Sequence, residues 1–127
     1  MSIPLSLSMS DYKTTLFPSK RVNYGGTLAA TRNPPLSIVK GLGPIKHDED
    51  GRVITLEFDN IYLVNAYFPF AGEKLIKLDS KVKFLVGFEE RIKALKARKP
   101  VVICGDLNIA HRDIGDWTPA SLIHSDS

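Results

Sequence analysis

The chain has 127 residues, 43% of them hydrophobic and 24% charged, which is ordinary for one globular domain and excludes a globally disordered polypeptide. Lys and Arg outnumber Asp and Glu by 17 to 14, so a formal charge of +3 permits a polyanionic partner without requiring one. No apolar stretch approaches a membrane-spanning length, and the single cysteine, Cys104, excludes an intramolecular disulfide and fits a reducing, intracellular compartment.

Residues 1–9 lack a basic n-region and carry Pro4 and three serines, so no secretory signal is expected. From Ser10 to Asn23 the chain is polar with scattered Tyr12, Leu16 and Phe17, and reads as an exposed loop whose large residues dock on a sheet. Tyr24-Gly25-Gly26-Thr27 leads into a strand that Asn33-Pro34-Pro35 stops, and a short strand follows at Leu36-Ser37-Ile38-Val39. His47-Asp48-Glu49-Asp50-Gly51 reads as a solvated acidic turn in preference to a metal site. Between Arg52 and Phe68 the pattern is that of an antiparallel hairpin. Ile54, Leu56 and Phe58 alternate with Val53, Thr55 and Glu57, Asp59-Asn60 supply a turn that is less committed to type I′ than Asn-Gly, and β-type sequence resumes to Phe68.

Asp79-Ser80 is a candidate cap for a helix whose apolar positions Val82, Leu85, Phe88, Ile92 and Leu95 recur at helical spacing. Glu89 and Lys93 stand four apart in the favourable order, and Arg98-Lys99 lie where the helix dipole prefers cations. Pro100 ends the helix. The run Val101-Val102-Ile103-Cys104 has no alternation, which predicts a strand buried on both faces, with Cys104 as a small buried hydrophobe. Gly105-Asp106-Leu107-Asn108 then brings a carboxylate and an amide to the carboxyl end of that strand, where α/β proteins usually keep their sites. A plain turn is also written Gly-Asp-x-Asn, because Asp and Asn bond their own backbone and tolerate left-handed conformations.

Several stretches in the right order decide between those two readings. Tyr24-Gly25-Gly26-Thr27, Asp50-Gly51-Arg52-Val53-Ile54, Tyr67-Phe68-Pro69-Phe70-Ala71-Gly72, Ala97-Arg98-Lys99-Pro100 and Cys104-Gly105-Asp106-Leu107-Asn108-Ile109-Ala110-His111 together resemble the middle of an exonuclease III-type apurinic/apyrimidinic (AP) DNA endonuclease. The resemblance covers roughly residues 11–114. It implies an α/β fold, part of a four-layer α/β sandwich with a mixed sheet and covering helices, incomplete in this chain. Its segments would be an N-terminal loop over 1–23, the central part of the domain over 24–114 and an unaligned tail over 115–127.

The resemblance also implies a base excision repair phosphodiesterase that cuts the DNA backbone at abasic sites, with 3′-exonuclease character and Mg²⁺ or Mn²⁺ as cofactor. In that reading Asp106 orients or deprotonates the attacking water, Asn108 helps to hold it and the phosphate, and Tyr67 turns its phenol to the phosphate. Asp106 and Asn108 are the metal-side residues, and Lys77 and His111 the DNA-binding ones. DNA with abasic sites is the partner, no membrane is involved, and the location is intracellular, the nucleus in a eukaryote.

Departures accompany the matches. Phe70 stands where the family pattern after Tyr-x-Pro has Asn, so it supplies no amide bond to a phosphate. The family's early metal-binding Glu and its C-terminal Asp-His pair have no counterpart, and His124-Ser125-Asp126 shares only the composition of the latter. The expectation is a truncated, weakly active or inactive form. The alternatives are a noncatalytic remnant that binds DNA or regulates a full-length relative, and another phosphoesterase of the same superfamily.

Overall fold

The alternation read between residues 53 and 57 becomes two opposite burials. Ile54 and Leu56 pack on one side of the sheet with Ala29, whereas Val53 lies on the other with Tyr62, Val64, Ala66, Phe68, Phe88 and Leu95. The structure, a computed structural model, describes residues 11–43, 48–70 and 78–108. In chain order the elements are β1 (Lys13–Pro18), β2 (Gly26–Thr31), β3 (Ser37–Lys40), β4 (Val53–Glu57), β5 (Tyr62–Tyr67), α1 (Leu78–Lys96) and β6 (Val101–Asp106).

The strands form a two-stranded sheet, β1-β2, and a four-stranded sheet in the order β3-β4-β5-β6. β3, β4 and β5 run antiparallel, and β6 joins β5 in parallel. A parallel neighbour needs a crossover, and α1 supplies it. Phe88 and Leu95 of α1 bury against β5, and Phe68 meets Phe84 and Phe88 edge-on at 5.3 and 4.8 Å. Such edge-to-face contacts add roughly 0.5–1.5 kcal/mol each beyond area burial. Among the described residues the layers are therefore α1, the mixed sheet and the β1-β2 ribbon. The expected α/β class with a mixed sheet and a covering helix is what the chain adopts.

The hairpin over β4 and β5, the short β3 and the helix lie where the pattern put them, and Glu89 and Lys93 form their i,i+4 pair at 2.7 Å. Four expectations need correction. Residues 13–18 are a strand and no loop: Thr14, Thr15, Leu16 and Phe17 have β-type side chains, and the strand pairs with β2 from Lys13↔Thr31 to Pro18↔Gly26, with Phe17 packed on the Ala29–Ile54–Leu56 cluster. The strand 101–106 is not buried on both faces. Among the described residues it is an edge strand, with Val102 46% and Ile103 41% exposed; Val102, the ladder partner of Leu63, faces the ribbon side, where β1-β2 covers β4 and Leu63 but stops short of β6. Cys104 is accordingly an exposed thiol, partial desolvation raising its pKa. In α1 the first residue is Leu78, so Asp79 lies in the first turn, and Val82 is 47% exposed while Phe84 joins the core margin in its place.

Polar side chains tie the layers. Asn65 Nδ2 donates to the Leu28 carbonyl at 2.9 Å, linking β5 to β2. At the far end of α1, Lys99 Nζ donates to Glu57 Oε1 at 2.7 Å and to the Phe58 carbonyl at 3.0 Å, so one of the two expected helix-end cations also clamps the hairpin. With Ser37 adding a second hydrogen bond, Lys99 holds the Glu57 carboxyl down at about 2.

Candidate active site

The ends of β5 and β6 meet because their register leaves no offset: Tyr67 is the partner of Asp106, the last residue of each strand. Ladder partners on neighbouring parallel strands present their side chains to one face, here the face that carries Leu63, Asn65 and the β1-β2 ribbon. Close approach depends on Gly105. Its φ is +121°, and a Cβ there would run into the Ala66 backbone on β5. Only glycine adopts that conformation without strain, so the residue before the carboxylate is fixed by geometry.

Beyond the strand ends the backbone stays stitched. Phe68 N donates to the Asp106 carbonyl at 2.8 Å, and Asn108 Nδ2 donates to the Phe68 carbonyl at 2.8 Å. Asn108 N donates to Asp106 Oδ1 at 3.0 Å while Asn108 itself sits at φ 47°, the left-handed region that Asn tolerates. The Asp-x-Asn turn and the juxtaposition of functional groups are thus the same structure: the turn fixes the carboxylate. α1 adds a further tether, Lys81 Nζ to the Asn108 carbonyl at 2.7 Å.

The structure therefore brings Tyr67, Asp106 and Asn108 together. Lys77 and His111, the two DNA-binding candidates, lie outside the described residues, as do His47 and the tail with His124-Ser125-Asp126. Asp106 Oδ2 and Asn108 Oδ1 have no protein partner among the described residues. Two hard oxygen donors suit Mg²⁺, which keeps most of its waters and needs few carboxylates. They do not make a closed site: among the described residues no three His, Cys, Asp or Glu side chains gather where they would hold an ion.

Polar groups behind Tyr67 went unassigned in the sequence. Arg52 is 7% exposed, and its guanidinium donates to the Tyr67 carbonyl at 3.3 Å and to the Tyr24 hydroxyl at 3.4 Å, with Asp50 Oδ2 at 3.2 Å. Arg21 holds Asp50 from the solvent side, and its hydrogen bonds lead the causes that keep the Asp50 carboxyl below its usual range. Asp48 accepts from the backbone N–H of Arg52 and Val53 at 2.5 and 2.9 Å, although burial outweighs these bonds and pushes its carboxyl up. The signal for Arg52 was an arginine opening a strand in the Asp50-Gly51-Arg52 match. Lys81 had one too, since a cation in the first turn of a helix opposes the dipole and calls for a local partner. A cleft of about 680 Å³ opens beside this network, lined by Arg21, Tyr24, Asp50, Arg52, Phe70 and Lys83 among others but by neither Tyr67 nor Asp106. Concavity alone does not mark the strand ends.

Comparison with known proteins follows the same lines. The model of the endonuclease/exonuclease/phosphatase family matches residues 5–126. The chain is 44% identical over 91 residues to the DNA repair nuclease APEX1 of Danio rerio, across 72% of this chain and 29% of that protein. It is 42% identical over 105 residues to a DNA-(apurinic or apyrimidinic site) endonuclease of Dictyostelium discoideum, across 81% of this chain and 29% of that one. To an exodeoxyribonuclease of Bacillus subtilis it is 34% identical over 110 residues, across 87% of this chain and 44% of that one. Among solved structures it is similar to an AP endonuclease from Archaeoglobus fulgidus, with a TM-score of 0.65 and 28% identity over 88% of this chain and 43% of that chain. It shares the fold of a 3′-5′ exonuclease from Neisseria meningitidis, with a TM-score of 0.67 over 83% of this chain and 41% of that chain. The chain thus spans less than half the length of each of these relatives.

Proposed function

The chain belongs to the endonuclease/exonuclease/phosphatase family, and from that premise we propose that its strand ends serve hydrolysis of the DNA backbone at abasic sites, as in an AP endonuclease with 3′-exonuclease character. The observation that carries this reading is the pairing of Tyr67 with Asp106 at the ends of β5 and β6, with Asn108 hydrogen-bonded to both strand ends. Relatives named as an AP endonuclease and an exodeoxyribonuclease support the substrate class.

A phosphodiester in DNA is anionic and repels hydroxide, so its hydrolysis needs an aligned water, a proton acceptor and donors facing the phosphoryl oxygens. Asp106 takes the role of orienting the water and accepting its proton. Asn108 fixes that carboxylate by donating its backbone N–H to Oδ1. Tyr67 lends a phenol O–H to a phosphoryl oxygen on the same sheet face. Lys77 and His111 contribute contacts to the DNA. Asp106 and Asn108 are the residues to hold a divalent ion, Mg²⁺ or Mn²⁺, which supplies charge neutralisation at the phosphate. The central portion of the domain, 24–114, carries these groups, and a DNA substrate implies an intracellular location, the nucleus in a eukaryotic cell.

Because the chain spans less than half the length of its relatives, its activity alone is expected to be weak or absent. The reading is therefore tested in a chimera in which this chain replaces the matching stretch of the Bacillus subtilis exodeoxyribonuclease. Incubated with Mg²⁺ and end-labelled duplexes, the chimera should cut a duplex carrying one abasic site in preference to the same duplex without it. Equal cutting of both duplexes, or cutting of neither by a folded chimera, contradicts the substrate assignment.

A further inference from the structure

Tyr67 is held twice by one residue. Its backbone N–H donates to the Arg52 carbonyl at 2.8 Å, an ordinary bond between neighbouring strands. The side chain of Arg52 then turns back, donates to the Tyr67 carbonyl at 3.3 Å and places its guanidinium carbon 5.0 Å from the centre of the Tyr67 ring. At that distance the ring face attracts the cation. Gly25, at φ +53°, also lies near the ring, since a Cβ there would sit 3.8 Å from Tyr67 Cε1.

An arginine side chain at 9% exposure is a poor choice for stability alone, because a buried ion pair often does no better than packed apolar side chains. This one is held by a carboxylate: Asp50 Oδ2 stands 3.2 Å away, and Arg21 grips both oxygens of the same carboxylate from outside. Asp50 therefore locks Arg52, and Arg52 touches the backbone and the ring of one residue, the tyrosine that ends β5. Strand ends are where a sheet frays and where a ring gains rotameric freedom.

We propose that Arg52, clamped by Asp50, is a positioning residue that holds the Tyr67 ring in a single orientation beside Asp106. It acts through Tyr67 and does not touch the reacting atoms. The inference rests on the reading of Tyr67 as a phosphate-facing group. Its consequence is that Arg cannot be exchanged for Lys here, since Lys keeps the charge but lacks the fork that reaches Tyr67, Tyr24 and Asp50 together.

The test uses the whole 127-residue chain with ¹³C-labelled tyrosine rings, the Tyr67 signals being assigned by their loss in Tyr67→Phe. Arg52→Lys and Asp50→Asn should each move the Tyr67 ring signals by more than a line width and speed ring motion. Meanwhile the Tyr67 amide, bonded to the Arg52 carbonyl by the ladder, should keep its hydrogen-exchange protection. Asp50→Asn keeps the proposal testable if Arg52→Lys fails to fold, because Asp50 reaches Tyr67 through Arg52. Unmoved ring signals in a folded variant overturn the inference, and so does ring movement that comes only with lost protection along β4 and β5. A metal-free titration of the unmutated chain with a duplex carrying a tetrahydrofuran abasic analogue separates the two readings. Variants that move the ring in a chain whose Tyr67 ignores this duplex refute the phosphate role of Tyr67 and leave its hold by Arg52 standing.

Discussion

Gly105→Ala is the substitution that bears most directly on how the two strand ends meet. Gly105 sits at φ +121°, and a methyl there would enter the Ala66 backbone of the neighbouring strand. Gly43 offers an internal control, since its φ is +132° but no atom lies within 4 Å of a Cβ built on it. Gly43→Ala thus incurs the dihedral strain alone, about 1–3 kcal/mol. Gly105→Ala adds separation of β5 from β6, which weakens ladder bonds worth about 1 kcal/mol each. Two such bonds bring its expected loss to about 3–5 kcal/mol. Urea unfolding followed by far-ultraviolet circular dichroism measures both, and an unchanged m-value with a lower midpoint assigns the change to stability. If Gly105→Ala destabilises no more than Gly43→Ala, the close approach is not what places Asp106 beside Tyr67, and the account of the site's assembly fails.

Other consequences can be measured on the same chain. Leu56, 2% exposed between the two sheets, should cost about 2–5 kcal/mol as Leu56→Ala, whereas Val102→Ala on the 46% exposed edge strand should stay within about 0.5 kcal/mol in the same unfolding assay. The Glu57 carboxyl falls from 4.5 to about 2 on folding through its bonds from Lys99 and Ser37. Its folded-state pKa is depressed, so its stabilising contribution is present in full above pH 4.5 and disappears as pH falls toward about 2. Glu57→Gln should therefore flatten that part of an acid-unfolding curve, and an unchanged acid slope would show that the Lys99 clamp does not act on folding.

Most of the fold was legible because it follows from periodicity. Alternation at Ile54, Leu56 and Phe58 fixed the faces of β4, and helical spacing from Leu85 to Leu95 fixed the buried side of α1. Where the reading failed, the decisive fact was which layer stops where. Nothing in Val101-Val102-Ile103 says that the β1-β2 ribbon ends before reaching β6, and an apolar run looks the same at an edge as at a centre. The strand 13–18 was missed because two threonines and one phenylalanine in a polar context carry little periodic signal, and it is pairing with β2 that orders it. Of the candidate site, the meeting of Tyr67, Asp106 and Asn108 was readable from motif and strand end. Arg52 and Lys81 left only a local signal in the sequence, because the contact that each makes, to Tyr67 and to Asn108, joins distant parts of the chain.

Asp106 and Tyr67, partners at the ends of adjacent parallel strands, are proposed to hydrolyse a phosphodiester together. Single-turnover cleavage of an abasic duplex by the Bacillus chimera tests it most directly, with Asp106→Ala, Tyr67→Phe and, as a control on the same strand, Cys104→Ala. Asp106→Ala and Tyr67→Phe should each slow cleavage by about a hundredfold or more, as loss of one preorganised group typically does, while Cys104→Ala should leave the rate unchanged. Cleavage that survives Asp106→Ala at its original rate, in a preparation shown free of other nucleases, would contradict it.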